Sequence, residues 1–264
     1  MNYRTWGTPP YTVAILHGGP GAPGEVAPVA KELSMDFGVV EPFQTKDSVF
    51  GQITELHTQL RDTASLPVYL LGWSWGAWLA YLFTATYPTF VKKLILISSA
   101  PFEQQYVEEM KQTRLSRLSE SERNRLIELE KKISDQQMEN RDALFSEFGR
   151  LYDKADTYCR FLTSEEDEIP FIDLPEQPEI FKRVWSEAAM LRSSGKLLEI
   201  GKSIACPVTL IQGDYDAKHV DDSLRRVIFD FSYTPIAQCG HHPWKERYGR
   251  KRFYEVLRDI LSNE

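Results

Sequence analysis

Short apolar runs separated by amphipathic stretches constrain this chain more than any other feature. "VAIL" (Val13–Leu16), "FGVVEP" (Phe37–Pro42), "PVYLLG" (Pro67–Gly72) and "KKLILISSAP" (Lys92–Pro101) read as buried strands. Between them lie helical patterns. Val26, Val29, Ala30 and Leu33 share one face over residues 25–33, and Ile53, Leu56 and Leu60 share another over 49–64. "AWLAYLFTATYP" is a third helix, stopped by Pro88. Strands alternating with helices imply a mainly parallel sheet covered by helices on both faces.

After the fourth strand the pattern changes. From Phe102 to Lys202 no strand is evident, and residues 101–200 carry 15 Lys and Arg against 22 Asp and Glu. The rest of the chain balances, so the net charge of −7 resides in this middle block. "SESERNRLIELEKKI" opens on a capping box, Ser119 with Glu122, and residues 138–157 and 178–194 also read as helices. An acidic, proline-bearing connector, "SEEDEIPFIDLPEQPE", separates those two. Strand character returns at "CPVTLIQGDYD". A helix (Val220–Phe229), a weak strand ("SYTPIAQCG") and a long helix (Trp244–Leu261) follow. The expected organisation is a core of residues 1–100 and 203–264, with residues 101–202 inserted as a helical domain.

The composition narrows the function classes. At 264 residues and 42% apolar, the chain can bury a large core. No basic stripe appears, which argues against nucleic acid. Cys159, Cys206 and Cys239 form neither a disulfide framework nor a CxxC motif, which suits a reducing compartment. No signal peptide is apparent in "MNYRTWGTPP" and no stretch reaches the roughly 20 apolar residues of a membrane span. A cytoplasmic protein without membrane attachment is expected; the oligomeric state is not legible.

Ligands of a parallel α/β sheet sit beyond the carboxyl ends of its strands. Four polar signals fall there: the loop His17-Gly18-Gly19-Pro20-Gly21, then Ser74 in "LGWSWG", Asp216 and His241. A serine hydroxyl is a weak nucleophile at neutral pH. It needs an imidazole to take its proton and a carboxylate to hold that imidazole in one tautomer. The oxyanion of the transition state needs two amides. The N–H of Trp75 is one candidate, Gly19 the other, while Pro20 has no N–H.

In this order Ser, Asp and His resemble the triad of the α/β-hydrolase family, and Gly72-x-Ser74-x-Gly76 resembles its nucleophile elbow. The resemblance covers nearly the whole chain and is closest to proline-iminopeptidase-like and esterase-like members. "HGGPG" is similar to their oxyanion loop, "QGDYD" to the Gly-x-x-Asp acid motif, and "CGHHPWKER" to Gly-His-x-Pro-Trp-x-Glu around the histidine. It implies an α/β-hydrolase fold, a helical cap over the pocket, catalysis by Ser74, Asp216 and His241, and an oxyanion hole at Gly19 and Trp75. That chemistry needs no cofactor, and without an HExxH motif or a dense His/Asp cluster no metal is expected. "NYRTWG" resembles the family's second strand, so a sheet lacking the usual first strand is expected. Trp73 stands where iminopeptidases usually have glycine, and flanking the nucleophile it is expected to touch substrate or the cap.

Other residues compete for these roles. Asp214 is the alternative acid and His242 the alternative base; family spacing favours Asp216 and His241. His219 reads as a helix start, His57 as a solvated or packed helix residue, and His17 as a structural hydrogen-bonding group. Glu165 to Glu168 read as a solvated loop, with attraction of cationic substrates as the functional alternative. The expected activity is hydrolysis of an ester or amide of a small, fairly apolar molecule. An iminopeptidase-type aminopeptidase and a non-catalytic binding protein on the same scaffold are the alternatives.

Overall fold

The computed structural model describes residues 2–20, 23–134, 141–161, 177–217 and 221–262. In chain order the elements are β1 (Tyr3–Trp6), β2 (Tyr11–Leu16), α1 (Ala27–Leu33), β3 (Gly38–Pro42), α2 (Val49–Thr63), β4 (Val68–Trp73), α3 (Trp75–Thr86) and β5 (Val91–Ile97). There follow α4 (Gln105–Ser116), α5 (Glu120–Ser134), α6 (Arg141–Asp156), α7 (Gln177–Ser193) and α8 (Lys196–Glu199), then β6 (Val208–Gly213), α9 (Asp221–Arg225), β7 (Phe231–Ile236) and α10 (Arg250–Ser262).

The strands form one sheet of order β1-β3-β2-β4-β5-β6-β7. Only β1 is antiparallel, pairing with β3 at one edge. The parallel strands need helical crossovers, and this requirement places helices on both faces. Side chains of the central strands alternate accordingly. Ala14, Leu16, Val68, Leu70, Leu94 and Leu96 point into the core shared with α2, α3 and α7. Val13, Ile15, Tyr69, Leu71, Trp73, Ile95 and Ile97 point into the core shared with α1 and α10. Runs buried on both faces explain why these strands read as continuous apolar sequence.

The weaker strand has a different environment. Strand β7 lies at the sheet edge, half-exposed, and carries Pro235, which an edge tolerates because no neighbour needs its missing N–H. Two helices expected from sequence are shorter than their patterns. The first helical residue of the last helix is Arg250, because Pro243–Lys245 form a separate 3₁₀ turn and Glu246 turns inward. The helix read over Val220–Phe229 is confined, among the described residues, to Asp221–Arg225.

The interval between β5 and β6 holds α4 to α8. The capping box closes as its spacing implies: Glu122 accepts from the Ser119 N–H at 3.0 Å, and the Glu122 N–H donates to the Ser119 hydroxyl at 3.4 Å. Leu118, Leu126 and Ala155 form a small cluster of α4, α5 and α6 with Leu115, Phe148, Leu151 and Tyr152 around it. In α7 and α8, Ile180, Val184, Ala188 and Leu197 instead join the main core beside α3. The charged middle block thus divides its packing between its own cluster and the sheet side.

Phe253 of α10 is fully buried and packs on Trp244 and Tyr254. Truncating a buried aromatic costs about 3–5 kcal/mol. Phe253→Ala is expected to lose that much stability, read from the midpoint of urea unfolding, whereas a loss below about 1 kcal/mol would mean that α10 does not seal the sheet.

Candidate active site

Strand β4 ends at Trp73 and α3 begins at Trp75, so Ser74 alone makes the turn between them. It does so at φ 56° and ψ −113°, in the left-handed half of the map that disfavours side chains. Such a residue costs of order 1–3 kcal/mol, which the surrounding structure must offset. The flanking glycines make the turn possible. A Cβ on Gly72 would collide with the carbonyl of Gly76, and one on Gly76 would collide with the carbonyls of Leu16 and His17. Ser74 occupies the N-cap position of α3 but makes no side-chain cap. Its hydroxyl is therefore left for another partner.

That partner is His241. Its Nε2 lies 3.1 Å from Ser74 Oγ, and its Nδ1 lies 2.9 Å from Asp216 Oδ2. Nδ1–H donates to the carboxylate, which leaves the Nε2 lone pair facing the serine hydroxyl. His241 and Asp216 are buried and Ser74 is partly exposed. The carboxylate that meets His241 is Asp216; the Asp214 side chain instead accepts from the Cys239 N–H at 3.3 Å, tying the acid loop to the histidine loop.

The other histidines separate cleanly. His242 Nδ1 lies 3.4 Å from Asp153 Oδ1, with its ring against Trp73. His57 packs on Tyr87 and Phe90. His219 and the Glu165–Glu168 run lie outside the described residues. His17 is fully buried, its Nδ1 3.0 Å from the Gly18 carbonyl and its Nε2 accepting from the Gln44 N–H at 3.2 Å. With Nδ1 as the donor, this neutral tautomer turns the Gly18 carbonyl inward. A trans peptide carries its C=O and N–H on opposite sides, so the Gly19 N–H points away from the His17 ring. Gln44 adds a second tie, its amide donating to the His17 carbonyl at 2.8 Å.

Trp73, expected from sequence to touch substrate or the cap, lies buried beneath the histidine loop. Its indole N–H donates to the His241 carbonyl at 2.9 Å, and its ring packs against His241, His242 and Trp244. The Trp75 side chain is also buried, its N–H donating to the Gln52 amide oxygen at 3.0 Å. Gln44 and Gln52 lie in no sequence motif and become legible only through these contacts. Glu25 lies in no motif either; burial raises its carboxyl to about 7, with Lys245 opposing the rise and Asp153 adding to it.

Comparison with known proteins gives the class. A family model described as the alpha/beta hydrolase fold matches residues 54–243, well over half of the chain, and the chain belongs to that family. No curated protein sequence matches it. Among solved structures it is similar to VinJ, with a TM-score of 0.69 and 19% identity over 98% of this chain and 94% of the other. It is also similar to a proline iminopeptidase from Mycobacterium smegmatis (TM-score 0.61, 16% identity, 98% and 93% coverage). A thermophilic esterase from Thermogutta terrifontis is comparable (TM-score 0.59, 19% identity, 98% and 93% coverage). Among the described residues no helix is long and apolar enough to cross a membrane, and no group of three His, Cys, Asp or Glu is placed to hold a metal ion.

Burial lowers the His17 imidazole to about 4, outweighing its bond to the Gly18 carbonyl. Above pH 6.5 the ring is neutral in both the folded and the unfolded chain. As the pH falls toward 4 only the unfolded chain takes up the proton, so stability is lost across that window, by about 3 kcal/mol in all. Urea unfolding of wild type and His17→Asn at pH 7 and pH 4 is expected to show the gap between them shift by that amount, against the wild type at the lower pH. A gap that stays constant would mean that His17 titrates normally in the fold.

Proposed function

We propose that this protein is a serine hydrolase that cleaves an ester or amide of a small, fairly apolar substrate through an acyl-enzyme on Ser74. The observation that carries this reading is the unbroken line from Asp216 through both ring nitrogens of His241 to a serine hydroxyl held on a strained turn. In the first half-reaction Ser74 Oγ attacks the substrate carbonyl carbon, and its proton passes to His241 Nε2. Asp216 stabilises the imidazolium that forms and keeps Nδ1 protonated throughout. The tetrahedral oxyanion is received by the N–H groups of Gly19 and Trp75, at the end of β2 and the start of α3. His241 then returns the proton to the leaving alcohol or amine as the carbon–oxygen or carbon–nitrogen bond breaks. Water, activated by the same imidazole, releases the acid in the second half. No step calls for a cofactor. Residues 101–202 act as the cap that shapes the pocket.

A second reading is an aminopeptidase that releases an N-terminal residue. It is favoured by the acidic pair of Glu25, half-ionised near pH 7, and Asp153, which lies 3.4 Å from the ring of His242, the neighbour of His241, and pairs through its other oxygen with Arg160. Carboxylates there suit a substrate ammonium. The proline iminopeptidase from Mycobacterium smegmatis shares the fold.

Labelling by a fluorophosphonate probe tests the nucleophile. Wild type is expected to label and Ser74→Ala not to label. With a turned-over substrate, Ser74→Ala should lower kcat by about 10⁶-fold and Asp216→Asn by about 10⁴-fold. Equal labelling of wild type and Ser74→Ala, or none of either, would sink the proposal. A panel of aryl esters beside N-terminal-proline amides separates the two readings, since turnover of the amide without ester preference selects the aminopeptidase.

A further inference from the structure

The geometry points to Glu246 as a positioning residue that fastens the end of α6 to the histidine loop and so fixes the aim of His241. The inference rests on the assignment of Ser74, Asp216 and His241 made above.

Glu246 is fully buried, and no cation pairs with it among the described residues. A buried carboxylate without a cation must fill its lone pairs with hydrogen bonds. Three main-chain N–H groups do so. Gly240 and Tyr158 both donate to Oε1 at 2.8 Å, and Cys159 donates to Oε2 at 2.7 Å. Gly240 immediately precedes His241, whereas Tyr158 and Cys159 lie just beyond α6. One side chain therefore gathers two segments more than 80 positions apart in sequence.

The same contact is reinforced along the main chain. The His241 N–H donates to the Asp156 carbonyl at 2.9 Å, the Arg247 N–H to the Cys159 carbonyl at 2.7 Å, and the Phe161 N–H to the Lys245 carbonyl at 2.7 Å. Gly240 passes so close that a Cβ there would collide with the Asp156 carbonyl and with the Glu246 carboxylate. The Asp156 carboxylate is gripped by the Arg114 guanidinium, with Nε 2.8 Å from Oδ1, which carries the connection on to α4. Both main-chain polar groups of His241 are thus occupied, its N–H by Asp156 of α6 and its carbonyl by the Trp73 indole. The imidazole is oriented by the helical segment as much as by the sheet. In this arrangement the end of α6 moves with the catalytic histidine and does not swing away from it.

The residue type follows from the donor set. A carboxylate is acceptor-only and can receive all three N–H groups. A glutamine of the same shape would turn an NH₂ toward one of them. Glu246→Gln therefore loosens the fastening with little change in volume, and Glu246→Asp keeps an acceptor-only group on a shorter reach.

The test uses the full chain and a fluorophosphonate ester. For Glu246→Gln the saturating rate of labelling is expected to fall by about 10²-fold, the scale of a misplacement of about 1 Å. The probe concentration giving half that rate stays unchanged, and the far-downfield proton resonance of the His241–Asp216 bond is lost. Glu246→Asp recovers part of the rate. Wild-type labelling kinetics and an intact resonance in a folded Glu246→Gln, whatever its melting temperature, would overturn the inference. Should Glu246→Gln fail to fold, amide hydrogen exchange of the wild type decides: Gly240, Tyr158 and Cys159 are expected to open as one unit, and exchange of Tyr158 and Cys159 independent of Gly240 would overturn it. If the wild type does not label at all, the serine reading has failed, and the exchange experiment still reports on the fastening.

Discussion

A serine at the start of a helix ordinarily turns its hydroxyl onto the helix's own first N–H groups. Ser74 does not, because its backbone is held at φ 56° between β4 and α3 and the hydroxyl is carried away from them. The arrangement of the site depends on that displacement. The strain is maintained by neighbours that leave no alternative: the Ser74 N–H is tied to the Ile97 carbonyl of β5 at 3.0 Å, and Gly72 and Gly76 approach each other with no room for side chains. The turn sits over the middle of a sheet whose central strands are buried on both faces. Relaxing it would mean moving β2, β4 and β5 together.

Around that fixed hydroxyl the remaining groups are held by ties to different elements. The Gly18–Gly19 peptide is set by a neutral, buried histidine and by Gln44. Asp216 lies in a turn closed by its own N–H on the Gly213 carbonyl at 3.1 Å, and Asp214 links that turn to the loop of His241. His241 is bound at its main chain to β4 through Trp73 and to α6 through Asp156. These ties are mostly hydrogen bonds between buried groups, where an unmade bond costs about 1–3 kcal/mol. The geometry is consequently specified by several independent penalties, no single one of which dominates.

Much of the architecture was legible because it follows from burial. The central strands read as apolar runs, and the capping box at Ser119 read as a helix start. Strand β7 read weakly because an edge strand needs neither a second buried face nor a full set of N–H donors, and Pro235 records that freedom. The pattern of α10 overran its true start because Trp244 is apolar for a different reason: it packs beneath Trp73 in a 3₁₀ turn rather than on a helix face. The charged block of residues 101–202 read as one unit by composition. Composition cannot report that Val184 and Ala188 face the main core while Leu126 and Ala155 face one another.

By itself the sequence determined the order of strands and helices, the sharp turn at Ser74 and the short set of polar residues at the strand ends. Each of these is a local consequence of side-chain size, periodicity or backbone freedom. Tertiary structure alone decided that Trp73 braces the histidine loop from below and that Glu246 joins α6 to that loop. These are contacts between residues far apart in the chain. Their partners are chosen by the distance and direction at which packed elements come to rest, and neither quantity is written in any one stretch of sequence.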